Sequence, residues 1–302
     1  MPDIRSAVTT PALLGECPLW SPIEDVLYWL DIDGQKVHRF DPSTDTDVVR
    51  DVQAGRPGAV ALTGTPGVLL LAVEHQLFWF TWATGLLTPF TDLGAPSPDR
   101  LNDGRTDPAG RFVIGSMQAD QTKPASQSVH QVEADGASAI LFGDVAVTNG
   151  IAFDPIRSRM YFADTPTETI TVFDYDTDTG ACENGRQFVD YADIPGKPDG
   201  ACVDADGFYW SASVYGWAVT RFSPAGDVDR RIEVPLEKPS MPAFGGPNMQ
   251  TLYVTTIGSG GAVPSAPGSD GFVPGSLLAI DVSDIGCTGV ADPVFAGAPP
   301  ES

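Results

Sequence analysis

Short segments in which apolar and polar positions alternate run along the whole chain, with Asp, Pro and Gly turns between them. Within this pattern, an apolar or aromatic pair followed within a few residues by Asp, Ser or Thr occurs in three clear copies, at Tyr28, Tyr161 and Tyr209, and in three weaker ones. The copies begin at Tyr28, Leu70, Phe112, Tyr161, Tyr209 and Tyr253. Each is preceded by a second β-like segment and a turn, and followed by a third such segment. This pattern predicts strands throughout, and no segment shows a sustained helical period.

The spacing of the copies predicts the fold. Successive copies lie 42 to 49 residues apart, and six units of this size with three or four strands each are typical of a β-propeller. We therefore expect an all-β, six-bladed propeller with four-stranded antiparallel blades around a central channel. Because the repeat leaves no linker, residues 1–302 should form one domain. A Gly-, Ser- and Pro-rich loop near 258–276 interrupts the last unit and is expected at the rim or as a lid.

Composition and charge disfavour several classes of binding partner and location. The chain has 32 Gly and 27 Pro, as many turns require, and its hydrophobic fraction of 42% can build a core. A net charge of −23 disfavours nucleic acids and anionic membranes. The beginning of the sequence lacks a signal-peptide pattern, no apolar run is long enough for a membrane span, and the four Cys form no CxxC pair. These features predict a soluble, cytoplasmic protein, and they indicate no obligate protein partner.

Polar residues recur at one level of the predicted channel. In a propeller the first strand of each blade lines the channel, so equivalent positions converge there. Six residues before the turn that ends each first strand stand Glu16, Gly58, Asn102, Asn149, Asp199 and Met241. Taken singly, the Asn-Gly and Asp-Gly pairs are ordinary turns. Four oxygen-bearing side chains in register instead predict a divalent-cation site, because carboxylates crowded in a narrow channel need a counter-charge.

Other motifs indicate no different chemistry. The acidic segments 31–34 and 174–178 superficially look like calcium loops, but Pro42 and Gly185 stand where a bidentate Glu is needed, so we interpret both segments as turns. The sequence contains no HExxH, GxSxG, GxGxxG or P-loop motif. A zinc-protease site, a serine nucleophile and a nucleotide site therefore lack support.

The segments around the candidate residues resemble the regucalcin (senescence marker protein)/gluconolactonase family. The motifs that carry the resemblance are Leu14–Trp20, Arg100–Gly104, Thr148–Ala152 and Pro198–Gly200, with further matches at Gly115–Met117 and Phe244–Pro247. The resemblance spans roughly residues 12–257 and implies a six-bladed propeller that hydrolyses aldonolactones. It also implies one divalent ion, among Ca, Zn, Mn, Mg and Fe, held by Glu16, Asn149 and Asp199.

The resemblance further implies that Arg100 and Asn102 contact the substrate. Some family members carry an acidic substrate-binding residue two places after the Met of the Gly-Ser/Thr-Met segment. Here that place is Ala119 and Asp120 comes next. Either the acidic contact has shifted to Asp120, or the substrate preference differs.

These observations predict a metal-dependent hydrolase that opens a small sugar lactone, such as a gluconolactone or a pentonolactone, to the aldonic acid. Asp199 is the expected general base as well as a metal ligand. Three alternatives stay open. They are a paraoxonase-like esterase on the same scaffold, a calcium-binding regulatory propeller without essential catalysis, and a structural propeller that binds partners at its rim.

Overall fold

The computed structural model describes residues 2–94, 97–258 and 271–300, and these residues form six four-stranded antiparallel sheets arranged as a ring. The predicted six-bladed β-propeller is therefore confirmed. Its described helical segments are two single 3-10 turns, Thr165–Thr167 and Ser283–Ile285. No described helix is long and apolar enough to cross a membrane. Most of the predicted 258–276 loop, residues 259–270, lies outside the described residues.

In the first three blades the strands follow one another in chain order from the channel to the rim. The chain begins with β1 (Ile4–Val8), which belongs to the last blade. The strands of the first three blades are β2 (Gly15–Ser21), β3 (Val26–Asp31), β4 (Lys36–Asp41) and β5 (Thr46–Asp51); β6 (Pro57–Leu62), β7 (Val68–Val73), β8 (Gln76–Thr81) and β9 (Leu86–Asp92); and β10 (Arg100–Thr106), β11 (Phe112–Met117), β12 (Gln127–Val132) and β13 (Ser138–Val145).

The other three blades repeat this order except at the closing strand. Their strands are β14 (Thr148–Asp154), β15 (Arg159–Asp164), β16 (Thr169–Tyr175) and β17 (Cys182–Asp190); β18 (Lys197–Val203), β19 (Tyr209–Val214), β20 (Ala218–Phe222) and β21 (Val228–Glu233); and β22 (Pro239–Gly245), β23 (Thr251–Thr256) and β24 (Leu277–Asp281). The sixth sheet is completed by β1, where Ile4 pairs with Ile280. The N-terminal strand therefore closes the ring.

The apolar core lies between the blades. The second strand of each blade, which carries the repeated aromatic or apolar pair, is almost wholly buried, whereas the outer strands of the first five blades are exposed or half-buried at most positions. Aromatic rings join adjacent blades: Trp20 stacks on Tyr253 with centroids 6.2 Å apart, and Tyr161 lies 4.8 Å from Tyr209. Each sheet thus buries both faces against its neighbours, as ring closure requires.

The aspartate that ends two of the repeats fixes the start of an inner strand. Asp31 accepts hydrogen bonds from the backbone N–H groups of Leu13 (3.1 Å) and Leu14 (3.0 Å), just before β2. Asp164 accepts in the same way from Ala146 (3.0 Å) and Val147 (2.9 Å), just before β14. These carboxylates satisfy buried backbone donors where the chain turns inward.

Residues 286–296 cross the face at which the inner strands end. The N–H of Gly289 donates to Met249 O in the sixth blade (2.7 Å), and that of Phe295 donates to Leu62 O in the second (2.8 Å). Between these points Asp292 forms an ion pair with the buried Arg105 of β10. Beside this pair, an axial cavity has a volume of only about 10 Å³. A larger cavity of about 320 Å³, which Arg105 and Asp292 also line, lies beside it, so this end of the channel is covered rather than filled.

Candidate functional site

The four polar residues predicted to converge lie on four inner strands, near the ends at which these strands begin. Glu16 is in β2, Asn102 in β10, Asn149 in β14 and Asp199 in β18. The inner strands contact one another around the axis. The two remaining positions of the series, Gly58 and Met241, contribute no polar side chain. The polar residues thus come from four separate blades.

A β-bulge interrupts each of these four inner strands at this level. The pairing with the second strand of the blade shifts between Glu16 and Leu19, Leu101 and Gly104, Asn149 and Ala152, and Pro198 and Ala201. An extra residue in one strand bends it and changes the direction in which its side chains project. The bulges therefore set the direction of the site residues, which the sequence repeat alone did not indicate.

Arg100, Asn102 and Asn149 form a continuous hydrogen-bonded chain between blades. Arg100 Nη1 donates to Asn102 Oδ1 (2.6 Å) and to Leu101 O (2.9 Å). Asn102 Nδ2 donates to Thr148 O (2.8 Å) and to Asn149 Oδ1 (3.1 Å). All three side chains are buried. The structure thus brings together two predicted substrate contacts and one predicted metal ligand.

Glu16 and Asp199 are acidic side chains without a cationic partner. Burial, with a further contribution from the Asp103 carboxylate, raises the pKa of Asp199 to about 8. The pKa of Glu16 is also raised, first because the channel removes its carboxyl from water and then because Asp199 and Asp103 lie nearby. Among the described residues, neither forms an ion pair with Lys, Arg or His. The nearby Arg100 guanidinium offsets only part of the rise in the pKa of Glu16, so the acidity of the site is incompletely compensated.

Asp103 is a third buried acid that sequence reasoning did not assign to the site. Its Oδ2 accepts from the N–H of Ile151 (2.9 Å), while its Oδ1 has no hydrogen-bond partner in the described structure. Burial raises the pKa of Asp103 as well. In the sequence, Asp103 stands in an Asn-Asp-Gly segment that turn chemistry already explains, so no local signal distinguished it.

Thr165 is the second residue that sequence reasoning missed. It begins the 3-10 turn after β15, and its Oγ1 accepts a hydrogen bond from Asn149 Nδ2 (2.8 Å). The same Oγ1 donates to Pro198 O (2.8 Å), next to Asp199. The sequence signal available was its position directly after Asp164, at the end of a clear repeat copy.

The structure does not bring Asp120 into this network. Its Oδ1 accepts hydrogen bonds from the hydroxyl (2.6 Å) and the N–H (3.2 Å) of Thr122, and its side chain is exposed. These bonds to Thr122 lower the pKa of Asp120. The preceding Ala119 donates its N–H to Asp99 Oδ1 (2.9 Å). The substrate contact expected at Asp120 therefore stays a prediction without support from these contacts.

The donor set at the axis suits a hard divalent cation. Glu16, Asp199 and Asn149 offer only oxygen ligands with two formal negative charges, and waters would complete the shell. No group of three or more His, Cys, Asp or Glu side chains placed to hold a metal occurs in residues 2–94, 97–258 and 271–300. The axial set contains two carboxylates and an amide, so it is an oxygen site rather than a His/Cys zinc site.

Comparison with known proteins gives consistent matches over most of the chain. Residues 14–258 match the SMP-30/Gluconolactonase/LRE-like region family. Pentonolactonase XacC of Haloferax volcanii is 34% identical over 94% of this chain and 96% of its own length. The 6-deoxy-6-sulfogluconolactonase of Pseudomonas putida is also 34% identical, over 97% of this chain and 99% of its own.

A solved structure shows the same architecture. The calcium-binding protein regucalcin of Agrobacterium tumefaciens superposes with a TM-score of 0.88 and 28% sequence identity, covering 97% of each chain. Both the sequence relatives and this structure extend over nearly the full length of the chain. The matched stretch therefore spans all six blades and the positions of the candidate site residues.

Proposed function

Because the chain belongs to the SMP-30/gluconolactonase/LRE-like family, we propose that it hydrolyses a sugar lactone to the corresponding aldonic acid. The observation that carries this proposal is the axial cluster of Glu16, Asn149 and Asp199, on a chain 34% identical to two lactonases over nearly its full length. The substrate class is that of small cyclic esters of aldonic acids, which includes pentonolactones and hexonolactones.

We infer that Glu16, Asn149 and Asp199 hold one divalent cation. The raised pKa values of Asp199, which is buried, and of Glu16, which is half-buried, support this inference. Neither forms an ion pair among the described residues, and a cation would remove the penalty of ionising them. When bound, such an ion supplies positive charge that polarises an ester carbonyl and acidifies water. The oxygen-only donor set does not select among Ca, Mn, Mg, Zn and Fe.

The remaining hydrogen-bonding capacity of the site suits a sugar. Both N–H groups of the Asn102 amide are engaged, but its Oδ1 can still accept a bond from a sugar hydroxyl. Arg100 uses only Nη1 within the described protein, so Nε and Nη2 are free to donate to ester or ring oxygens. Together these groups would orient the lactone relative to Asp199.

Asp199 is the proposed general base. Its carboxylate would accept a proton from water as the water oxygen bonds to the carbonyl carbon. The bond between that carbon and the ring oxygen then breaks, and the ring oxygen takes up the proton to become a hydroxyl group. The open-chain acid, which carries the new carboxyl group and the new hydroxyl group, then leaves. Asp199 is again ionised for the next turnover.

A second candidate function is calcium binding without essential catalysis. The structural neighbour described as a calcium-binding protein favours it. The two functions differ in turnover rather than in the metal site. An experiment must therefore measure metal binding and hydrolysis on the same sample.

The test measures proton release when chelator-treated protein is mixed with a substrate. The substrates are glucono-, galactono-, xylono- and arabinonolactone and one aryl ester. We expect lactone hydrolysis that is lost on chelation and restored when Ca²⁺, Mn²⁺, Mg²⁺, Zn²⁺ or Fe²⁺ is returned singly. Asp199→Ala should lower kcat by about 10²- to 10⁴-fold. Asp174→Ala, which removes an exposed carboxylate of β16, is the matched control and should retain activity.

Full turnover by a folded Asp199→Ala protein, or activity that chelation does not change, would contradict the proposal. Metal binding without hydrolysis of any lactone would support the regulatory alternative instead. Preference for the aryl ester would indicate the esterase alternative.

A further inference from the structure

The hydroxyl of Thr165 connects the elements that carry two of the proposed metal ligands. Asn149 Nδ2 lies 2.8 Å from Thr165 Oγ1, and Thr165 Oγ1 lies 2.8 Å from Pro198 O. Asn149 belongs to the fourth blade, and Pro198 immediately precedes Asp199 in the fifth. One side chain thus bridges two inner strands next to the axis.

The chemistry of this bridge fixes which way the Asn149 amide points. Pro198 O can only accept a hydrogen bond, so the single hydroxyl hydrogen of Thr165 is directed at it. The lone pair that remains on Oγ1 can only accept. Asn149 must therefore present its NH₂ group to Thr165, and its Oδ1 faces the opposite way.

The backbone carbonyl of Thr148 fixes the same orientation of the Asn149 amide, acting through Asn102. Asn102 Nδ2 lies 2.8 Å from Thr148 O, which also can only accept, so this atom is the amide nitrogen. The NH₂ of Asn102 then donates to Asn149 Oδ1 (3.1 Å). Both neighbours of Asn149 therefore require the same orientation of its amide.

We propose that Thr165 is a positioning residue that holds Asn149 Oδ1 toward the cation. This inference rests on the proposed function, in which Asn149 is a metal ligand. Without the hydroxyl, the Asn149 amide loses one of its two fixed partners and can turn over. A turned amide presents N–H dipoles to the cation and removes an oxygen from its shell.

The test compares Thr165→Val, which keeps the side-chain shape but removes the hydroxyl, with Thr165→Ser, which keeps the hydroxyl. Thr167→Val is the matched control, because the Thr167 hydroxyl is on the same 3-10 turn but bonds Asp164 O (2.8 Å) and Thr169. Chelator-treated proteins would be titrated calorimetrically with Mn²⁺, Ca²⁺ and Zn²⁺, and thermal unfolding without metal would report folding.

We expect Thr165→Val to weaken metal binding by about 10- to 100-fold, as changes in groups that orient a ligand do. Thr165→Ser should bind within about 3-fold of the unaltered protein, a difference of at most about 0.7 kcal/mol by the relation of 1.4 kcal/mol per tenfold. Thr167→Val should bind normally.

A double-variant measurement tests the amide itself. In Asn149→Asp the two carboxylate oxygens are equivalent, so turning the group over has no consequence. Adding Thr165→Val to Asn149→Asp should then weaken metal binding much less than Thr165→Val does alone.

Unchanged metal affinity in Thr165→Val would overturn the inference and leave the proposed function intact. So would an equal loss in Thr167→Val, or fully additive losses in the double variant. If the unaltered protein binds none of the three ions, the proposed metal site fails first and the role of Thr165 fails with it.

Discussion

At the scale of single residues, the site is defined by carboxyl groups that are held away from bulk water. Asp199, Glu16 and Asp103 are all held near the axis, and burial raises the pKa of each. Arg100 is also buried, and this burial lowers its pKa. Perturbed pKa values that cluster in one place mark candidate functional sites.

The raised pKa of Asp199 predicts how the stability of the metal-free protein depends on pH. Asp199 has a pKa of about 8 when folded and an ordinary value of 3.8. Between these values the folded chain retains a proton that the unfolded chain has lost, so a rise in pH favours unfolding, by up to about 1.4 kcal/mol per pH unit. We expect the Tm of chelator-treated protein to fall from pH 5 to pH 8.

Asp199→Asn should make this fall smaller, because the amide does not titrate. Asp120→Asn is the control and should follow the unaltered protein, since the lowered pKa of Asp120 places its titration below this range. Differential scanning calorimetry at each pH measures the slope. Equal slopes in Asp199→Asn and the unaltered protein would contradict the assignment.

Sequence reasoning reached part of this residue-level arrangement. Glu16, Asn102, Asn149 and Asp199 share one place in the repeat, so the period alone aligned them. Thr165 and Asp103 act through partners in another strand or blade, such as Pro198 and Ile151. No period encodes such partners, so these two residues required the structure.

At the scale of elements, each of the four site-bearing inner strands pairs regularly with the second strand of its blade except at one β-bulge. The bulge in β14 includes Gly150, whose φ of +61° is in the left-handed region. A Cβ at this position would lie 2.4 Å from Tyr209 Oη and 3.1 Å from Asp199 O. Glycine is therefore required both for the backbone conformation and for the approach of the fifth blade.

We predict that Gly150→Ala destabilises the protein more than Gly85→Ala. Gly85 has a similar φ of +72° but no atom within 4 Å of the added carbon. Both changes should cost about 1 kcal/mol for the left-handed conformation. Gly150→Ala should cost about 1–3 kcal/mol more for overpacking. Urea unfolding measures both, and equal losses would show that contact with Tyr209 and Asp199 has no energetic effect.

The strands themselves were predictable to different degrees. The second strands, such as β3 and β15, carry strong aromatic and apolar patterns because they are buried on both faces. The outer strands, such as β5 and β17, are exposed or half-buried at most positions and their sequences are mostly polar. Their pattern is weak, so the prediction of four strands per blade, which the structure confirms, rested on the propeller architecture rather than on these segments.

At the scale of the whole molecule, the segment 286–296 links distant blades across one end of the channel. Its central contact is the ion pair of Asp292 with Arg105, which also donates to Ile151 O (3.1 Å) and Ala201 O (2.8 Å). Arg105 thereby connects the third, fourth and fifth blades to this segment. Asp292 supplies the charge that this buried guanidinium requires.

We predict that Asp292→Asn lowers the free energy of unfolding by about 3–5 kcal/mol, because it leaves Arg105 buried without its counter-charge. The control is Asp174→Asn, which breaks an exposed pair with Arg186 (2.8 Å) and should change stability by at most about 1 kcal/mol. Guanidinium unfolding monitored by tryptophan fluorescence compares the two. Similar small losses in both variants would show that the Arg105 pair is not essential.

The pairing of β1 with β24 has a consequence for biosynthesis. As the polypeptide leaves the ribosome, Ile4–Val8 emerges before the five complete blades, yet its partner Leu277–Asp281 emerges after them. Until β24 has been synthesised, β1 has no strand to pair with. A nascent product that stops before residue 277 would keep an open edge on β23, a template for aggregation. Products that stop between Thr256 and Leu277 combine five complete blades with this open edge, so quality control of this protein should act on them.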